Sequence, residues 1–138
     1  MAEAAQNTIQ FELVSPERRL VSEPVKMAVI PGTEGQFGVL AGHSALVAAL
    51  KAGIVELQFS EQESRRIFIA GGFADVTPEQ CTVLAEEAIN VADLDEAELT
   101  QKAADLNEDL GIAKEDIDKA RILKRLALVN AKLDAVAA

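Results

Sequence analysis

The hydrophobic period changes once along this chain, and that change limits what it can fold into. Up to about Ala88, apolar residues recur every second position. Thr8-Ile9-Gln10-Phe11-Glu12-Leu13-Val14 alternates apolar and polar, as a half-buried strand does. From Asp93 onward the period becomes helical. Leu99, Ala103, Leu106 and Leu110 recur at i, i+4, i+7 and i+11, and Ile122, Leu126, Val129 and Leu133 repeat that spacing. The sequence therefore predicts an α+β protein in two parts. Residues 1–88 form a flattened β-sandwich or barrel, and residues 89–138 form a linker and an antiparallel α-helical hairpin. Hydrophobic residues make up 49% of the 138, enough for a packed core.

Within the β half, Ser15-Pro16-Glu17-Arg18 reads as a turn with proline at its favoured second position. Val25 to Ile30 is the next strand. Gly53 to Phe59 and Arg66 to Ala70 flank a polar segment and suggest a hairpin. Gly71-Gly72 interrupts the strand pattern before Phe73-Ala74-Asp75-Val76, where a bulge or bend is expected. Thr77-Pro78-Glu79-Gln80 is another turn, followed by the strand of Cys81. In the helical half, Asp93 or Asp95 can cap the first helix, and Gly111 sits where a C-terminal cap belongs. The second helix runs roughly from Lys114 to Ala135.

Between the second and third strand patterns lies Pro31-Gly32-Thr33-Glu34-Gly35-Gln36-Phe37-Gly38-Val39-Leu40-Ala41-Gly42-His43. Its glycines mark a backbone that turns repeatedly. Phe37, Val39 and Leu40 are its expected anchors, and Glu34 its exposed acidic tip. It reads as a contact surface. It also holds the single histidine, which is more often a turn or interface residue than a catalyst.

No active site assembles from these residues. There is no Gly-x-x-x-x-Gly-Lys-Ser/Thr, so no phosphate-cradling P-loop. One histidine and one cysteine cannot supply a zinc site of ordinary spacing. Ser44 follows His43 directly, and adjacent residues of an extended segment face opposite ways, which is poor geometry for a nucleophile and its base. Catalytic, metal and cofactor-binding residues are all expected to be absent. The net charge of −10 and the lack of Trp and Tyr exclude nucleic acid as a partner. No apolar run approaches a membrane span, and no signal peptide is visible, so direct membrane insertion is not expected. Cys81 has no second cysteine to pair with and sits in an apolar run, as a small core residue would.

Charge divides the helical half. Residues 94–111 carry one Lys and six Asp/Glu, net −5, whereas residues 119–133 carry five Lys/Arg and no acid. Arg121, Arg125 and Lys132, together with Lys114, fall on one face beside the second apolar stripe. Either this face pairs with the acidic arm and solvent, or it meets an acidic partner surface. A free-standing β-sandwich adaptor that binds an acidic protein is one function these residues allow.

Four segments in order carry a family resemblance: Val14-Ser15-Pro16-Glu17, the loop from Pro31 to His43, Gly71-Gly72-Phe73-Ala74-Asp75-Val76 and Val83-Leu84-Ala85-Glu86-Glu87-Ala88. They resemble the ε subunit of the bacterial F-type ATP synthase, the family called δ in mitochondria. The resemblance implies a non-catalytic central-stalk subunit, placed between the γ subunit and the ring of proton-carrying membrane subunits. Glu34, Gln36 and His43 would then lie near the ring and the foot of γ. An extended hairpin would bring Arg121, Arg125 and Lys132 to the α/β catalytic head and regulate ATP hydrolysis. The complex would hold the protein at the cytoplasmic face of the bacterial inner membrane. Some family members bind ATP through Ile/Leu-Asp-x-x-Arg-Ala. Here Leu94 and Asp95 match, but Glu98 stands in the arginine's place and would repel a triphosphate, so no cofactor is expected.

Overall fold

The computed structural model describes residues 7–138, which divide into two compact units at Asn90/Val91. The first unit holds ten strands: β1 (Ile9–Val14), β2 (Arg19–Val25), β3 (Met27–Gly32), β4 (Gly35–Val39), β5 (Leu46–Leu50), β6 (Gly53–Gln58), β7 (Ser64–Ile69), β8 (Gly72–Val76), β9 (Gln80–Ala85) and β10 (Ala88–Asn90). The second holds a short 3-10 turn (Val91–Asp93) and the helices α1 (Glu96–Ile112) and α2 (Asp116–Ala137). This is the α+β plan read from the change of period.

The strands form two sheets joined at one corner. One sheet has the order β10-β7-β6-β3-β4, and the other β5-β8-β9-β1-β2. Gly32 opposite Leu50 links β3 to β5 at the corner. All neighbours are antiparallel except β1 and β9. Alternation places one set of side chains from each strand inside. Ile9, Phe11 and Leu13 of β1, Val55 and Leu57 of β6, Ile67 and Ile69 of β7, and Cys81 and Val83 of β9 are fully buried in one cluster. No described polar or charged side chain is buried with them.

Burial pushes the Cys81 thiol up from its usual range to about 12, with the Asp75 carboxylate adding to the effect. The thiolate is the reactive form. At pH 8, alkylation of the native protein should therefore be roughly a thousandfold slower than that of the urea-unfolded one, as thiol labelling would measure. Because the folded value lies above the unfolded one, this thiol's contribution to stability is complete below pH 9 and declines as pH rises toward 12.

Several local expectations change. Arg19–Val25 is a strand that alternation did not reveal, because Pro24 and two charged residues disguise it. Those residues suit β2, which pairs only with β1 and forms a sheet edge, where proline costs no ladder bond. The glycine-punctuated segment is half strand. Thr33 and Glu34 form a two-residue turn between β3 and β4, with Gly32 opposite Gly35. Phe37 and Val39 sit two apart and face inward as anchors. Leu40, one residue on, faces out and is 54% exposed. Gly111 is not a cap. It lies inside α1, which ends with an extended Ala113 donating its N–H to the Asp109 carbonyl at 3.0 Å, and that geometry needs no glycine. Lys114 precedes α2. The strand β10 occupies the start of the expected linker, with Ile89 opposite Phe68.

In the second unit both stripes fall as their spacing requires. Leu99 and Val129 are buried, and Ala103, Leu106, Leu110, Ile122, Leu126 and Leu133 are half-buried. The three-residue connection makes the pair a hairpin. Asp95 is the N-cap of α1: its carboxylate accepts from the Glu98 backbone N–H at 3.2 Å.

Candidate functional site

Nothing in the described residues builds a reaction centre. No group of three or more His, Cys, Asp or Glu is placed to hold a metal ion, and no helix is long and apolar enough to cross a membrane. Of the ATP-motif residues, Asp95 is engaged as a helix cap, and Glu98 adds a second carboxylate in the same first turn. What the protein offers is surface.

The expected contact residues divide between two ends of the first unit. Glu34, at the β3–β4 turn, and Gln36, opposite Pro31, are both exposed at one end. Their turn is tied to the second sheet, since the Thr33 N–H donates to the Ala49 carbonyl at 3.0 Å. His43 lies beyond the far end of β4, where the Gly42 N–H donates to the Pro78 carbonyl at 2.8 Å. Its Nδ1–H donates to the Ser44 carbonyl at 2.7 Å, which fixes the ring against its own backbone. The structure thus brings Glu34 and Gln36 together and leaves His43 apart from them.

In the second unit, Arg121 and Arg125 are exposed on α2, and Arg121 pairs with Asp118 of the same helix at 3.5 Å. Lys132 is half-buried and already interacts within the protein.

One surface feature was missed by sequence reasoning. On the outer face of the second sheet, Ala49 stands opposite Phe73, Phe73 opposite Leu84, and Leu84 beside Val14. Four strands thus line up one apolar row. Phe73 is 59% exposed, Leu84 54%, and Val47, in the next row, 71%. The row ends in a shallow groove of about 340 Å³ against Val14, Pro16, Phe73 and Leu84. Single exposed apolar residues are ordinary, but a contiguous row is the mark of an interaction face. The available signal was parity. Both Phe73 and Ala74, and both Val83 and Leu84, are apolar, so β8 and β9 are apolar on both faces rather than one.

Comparison with known proteins decides the family. Residues 8–91 match the model for the beta-sandwich domain of the ATP synthase delta/epsilon chain, and residues 95–138 that for the C-terminal domain of the ATP synthase epsilon chain. The protein belongs to the ATP synthase delta/epsilon family. The ATP synthase epsilon chain of Rhodospirillum centenum is 47% identical to it over 134 residues, covering 94% of this sequence and 92% of that one. That of Rhodospirillum rubrum is 42% identical over 128 residues, covering 93% and 96%. Among solved structures, a subunit of the Euglena gracilis mitochondrial ATP synthase OSCP/F1/c-ring matches with a TM-score of 0.83 and 25% identity, over 96% of this sequence and 82% of that one. A subunit of the Tetrahymena thermophila mitochondrial ATP synthase central stalk/c-ring matches with a TM-score of 0.62 at 15% identity, over 93% and 96%, which speaks to the fold alone. Epsilon chains are non-catalytic subunits of the ATP synthase.

Proposed function

We propose that this protein is a rotor part of a proton-translocating F-type ATP synthase: it joins γ to the ring of proton-carrying subunits, and its hairpin regulates ATP hydrolysis at the α/β head. Its membership of the epsilon family over both units carries the reading. The exposed row of Phe73 and Leu84 is the proposed seat of γ. A subunit that joins two bodies needs more than one contact region, and this one has Glu34 and Gln36 at one end and His43 at the other. Between them these ends supply the contacts to the ring and the foot of γ. The protein needs neither nucleotide nor metal for this task. It is peripheral, held at the cytoplasmic face of the bacterial inner membrane by its partners. An affinity-tagged copy, isolated from detergent-solubilised membranes, should bring down γ, the ring and the α/β head together. Recovery of a soluble acidic protein in their place would favour the adaptor reading.

The hairpin's share of the function rests on Arg121, Arg125 and Lys132. Exposed charge pairs contribute only about 0.2–1 kcal/mol each, so single reversals should be nearly silent. Changing all three to Glu should raise the ATPase rate of the intact complex severalfold, and added salt should move the wild type part of the way there. An unchanged rate would leave the basic face merely solvated or internally paired.

The two units are proposed to be separable. The cut belongs after Asn90 because β10 completes a sheet edge on β7. Residues 1–90 alone should give a β circular dichroism spectrum and one cooperative melt. A fragment without that spectrum would mean that the helices complete its core.

A further inference from the structure

We infer that the partner surface received by the apolar row is basic around its apolar centre, with Lys or Arg side chains facing Asp75 and Glu12. This rests on the reading of that row as a docking face. Pairing register supplies the argument. One step along the strands from Phe73 and Leu84, on the same face, Asp75 stands opposite Thr82 and Thr82 beside Glu12. Same-face neighbours along a strand are about 7 Å apart. A body seated on Phe73 and Leu84 therefore shields Asp75 and Glu12 from water as well. Neither carboxylate has an ion-pair or hydrogen-bond partner among the described residues, and the one cation on the first row, Arg19 opposite Val14 on the edge strand β2, forms no ion pair with either. A shielded carboxylate without a cation is strongly unfavourable. Glu86 adds a third acid where the row ends in its groove.

These charges also select the occupant. A second copy would bring the same acids, from a protein of net charge −10, against each other. An anionic lipid surface would be repelled for the same reason. A protein surface with an apolar centre and a basic frame satisfies both rows. Under this arrangement the carboxylates steer encounter, and the apolar row holds the complex once formed.

The test uses the full-length protein and immobilised F1, bearing γ, from which the native subunit has been stripped. Association and dissociation rates are read at about 50 and 300 mM salt, on either side of the range where screening changes most, for the wild type, for Asp75→Asn with Glu12→Gln, and for Phe73→Ala. Circular dichroism confirms that each variant is folded. The neutralised variant should associate about tenfold more slowly at low salt, lose most of the wild type's salt dependence and also dissociate faster, because it leaves the partner's cations shielded and unpaired. Phe73→Ala should dissociate at least roughly tenfold faster, as a buried anchor does. Fast dissociation of Phe73→Ala with wild-type association and salt dependence of the neutralised pair would overturn the basic frame and leave the docking face standing. Tighter binding by the neutralised pair would also overturn it. Wild-type dissociation by Phe73→Ala would instead remove the docking face itself.

Discussion

Replacing Phe73 and Leu84 together by aspartate should remove the subunit from the assembled ATP synthase without unfolding it. Both side chains are more than half exposed, so the free protein loses little burial when they change. Its melting temperature should shift by no more than a few degrees. In the complex the same residues lie at the centre of the proposed γ seat. Anchors of this kind cost at least about 2 kcal/mol each when lost. Two such losses come to about 4 kcal/mol, or roughly a thousandfold in affinity. New carboxylates beside Asp75 would deepen the loss wherever the facing surface is apolar, because they would be buried unpaired. The measurement is retention of the subunit on purified complexes after gel filtration. Reversing a charge at the exposed Glu61, between β6 and β7 of the other sheet, is the control and should be neutral. Retention of the double aspartate variant at the wild-type level would move the γ contact to another face.

How much of this was legible beforehand differs from feature to feature, for physical reasons. Period is a property of neighbouring residues, so the strands with clean alternation and the two helical stripes could be read directly, and the cap was narrowed to Asp93 or Asp95, of which the fold uses Asp95. β2 could not, because an edge strand tolerates the proline and charges that normally argue against a strand. β4 was hidden because its glycines signal turning, whereas in the fold they lie along a short paired strand. The apolar row was illegible for a different reason. Ala49, Phe73, Leu84 and Val14 lie on separate strands, and only the pairing register brings them into line. The charge split of the helical half was visible in composition, but which cations are free to meet a partner depends on local pairs such as Arg121 with Asp118. Sequence also grouped Glu34 and Gln36 with His43 by proximity along the backbone, although the length of β4 separates them.

Gly72→Ala should be among the most damaging single substitutions in the first unit. The Gly71-Gly72 step carries the backbone from β7 in one sheet to β8 in the other, and Gly72 has φ +141°, a conformation that side chains rarely adopt. Its own strand pairing allows no relief. A Cβ at Gly72 would lie 2.0 Å from the Leu84 carbonyl oxygen and 2.9 Å from the Ala85 Cα, both backbone atoms of β9. Backbone cannot swing aside as a flexible side chain can, so β8 would have to separate from β9 at the place where Phe73 and Leu84 are held in line. Backbone strain of about 1–3 kcal/mol adds to an overpacking cost of similar size. The expected destabilisation is more than about 3 kcal/mol, a large part of a small domain's total stability. Gly35→Ala isolates the two terms. Gly35 has φ +131°, but no neighbouring atom lies within 4 Å of its would-be Cβ, so it should show the backbone strain alone. Urea melts of the two variants should therefore separate clearly, with Gly72→Ala unfolding at much lower denaturant than Gly35→Ala. Equal midpoints would mean that β8 and β9 can move apart at little cost, and that the apolar row they carry is not a rigid seat.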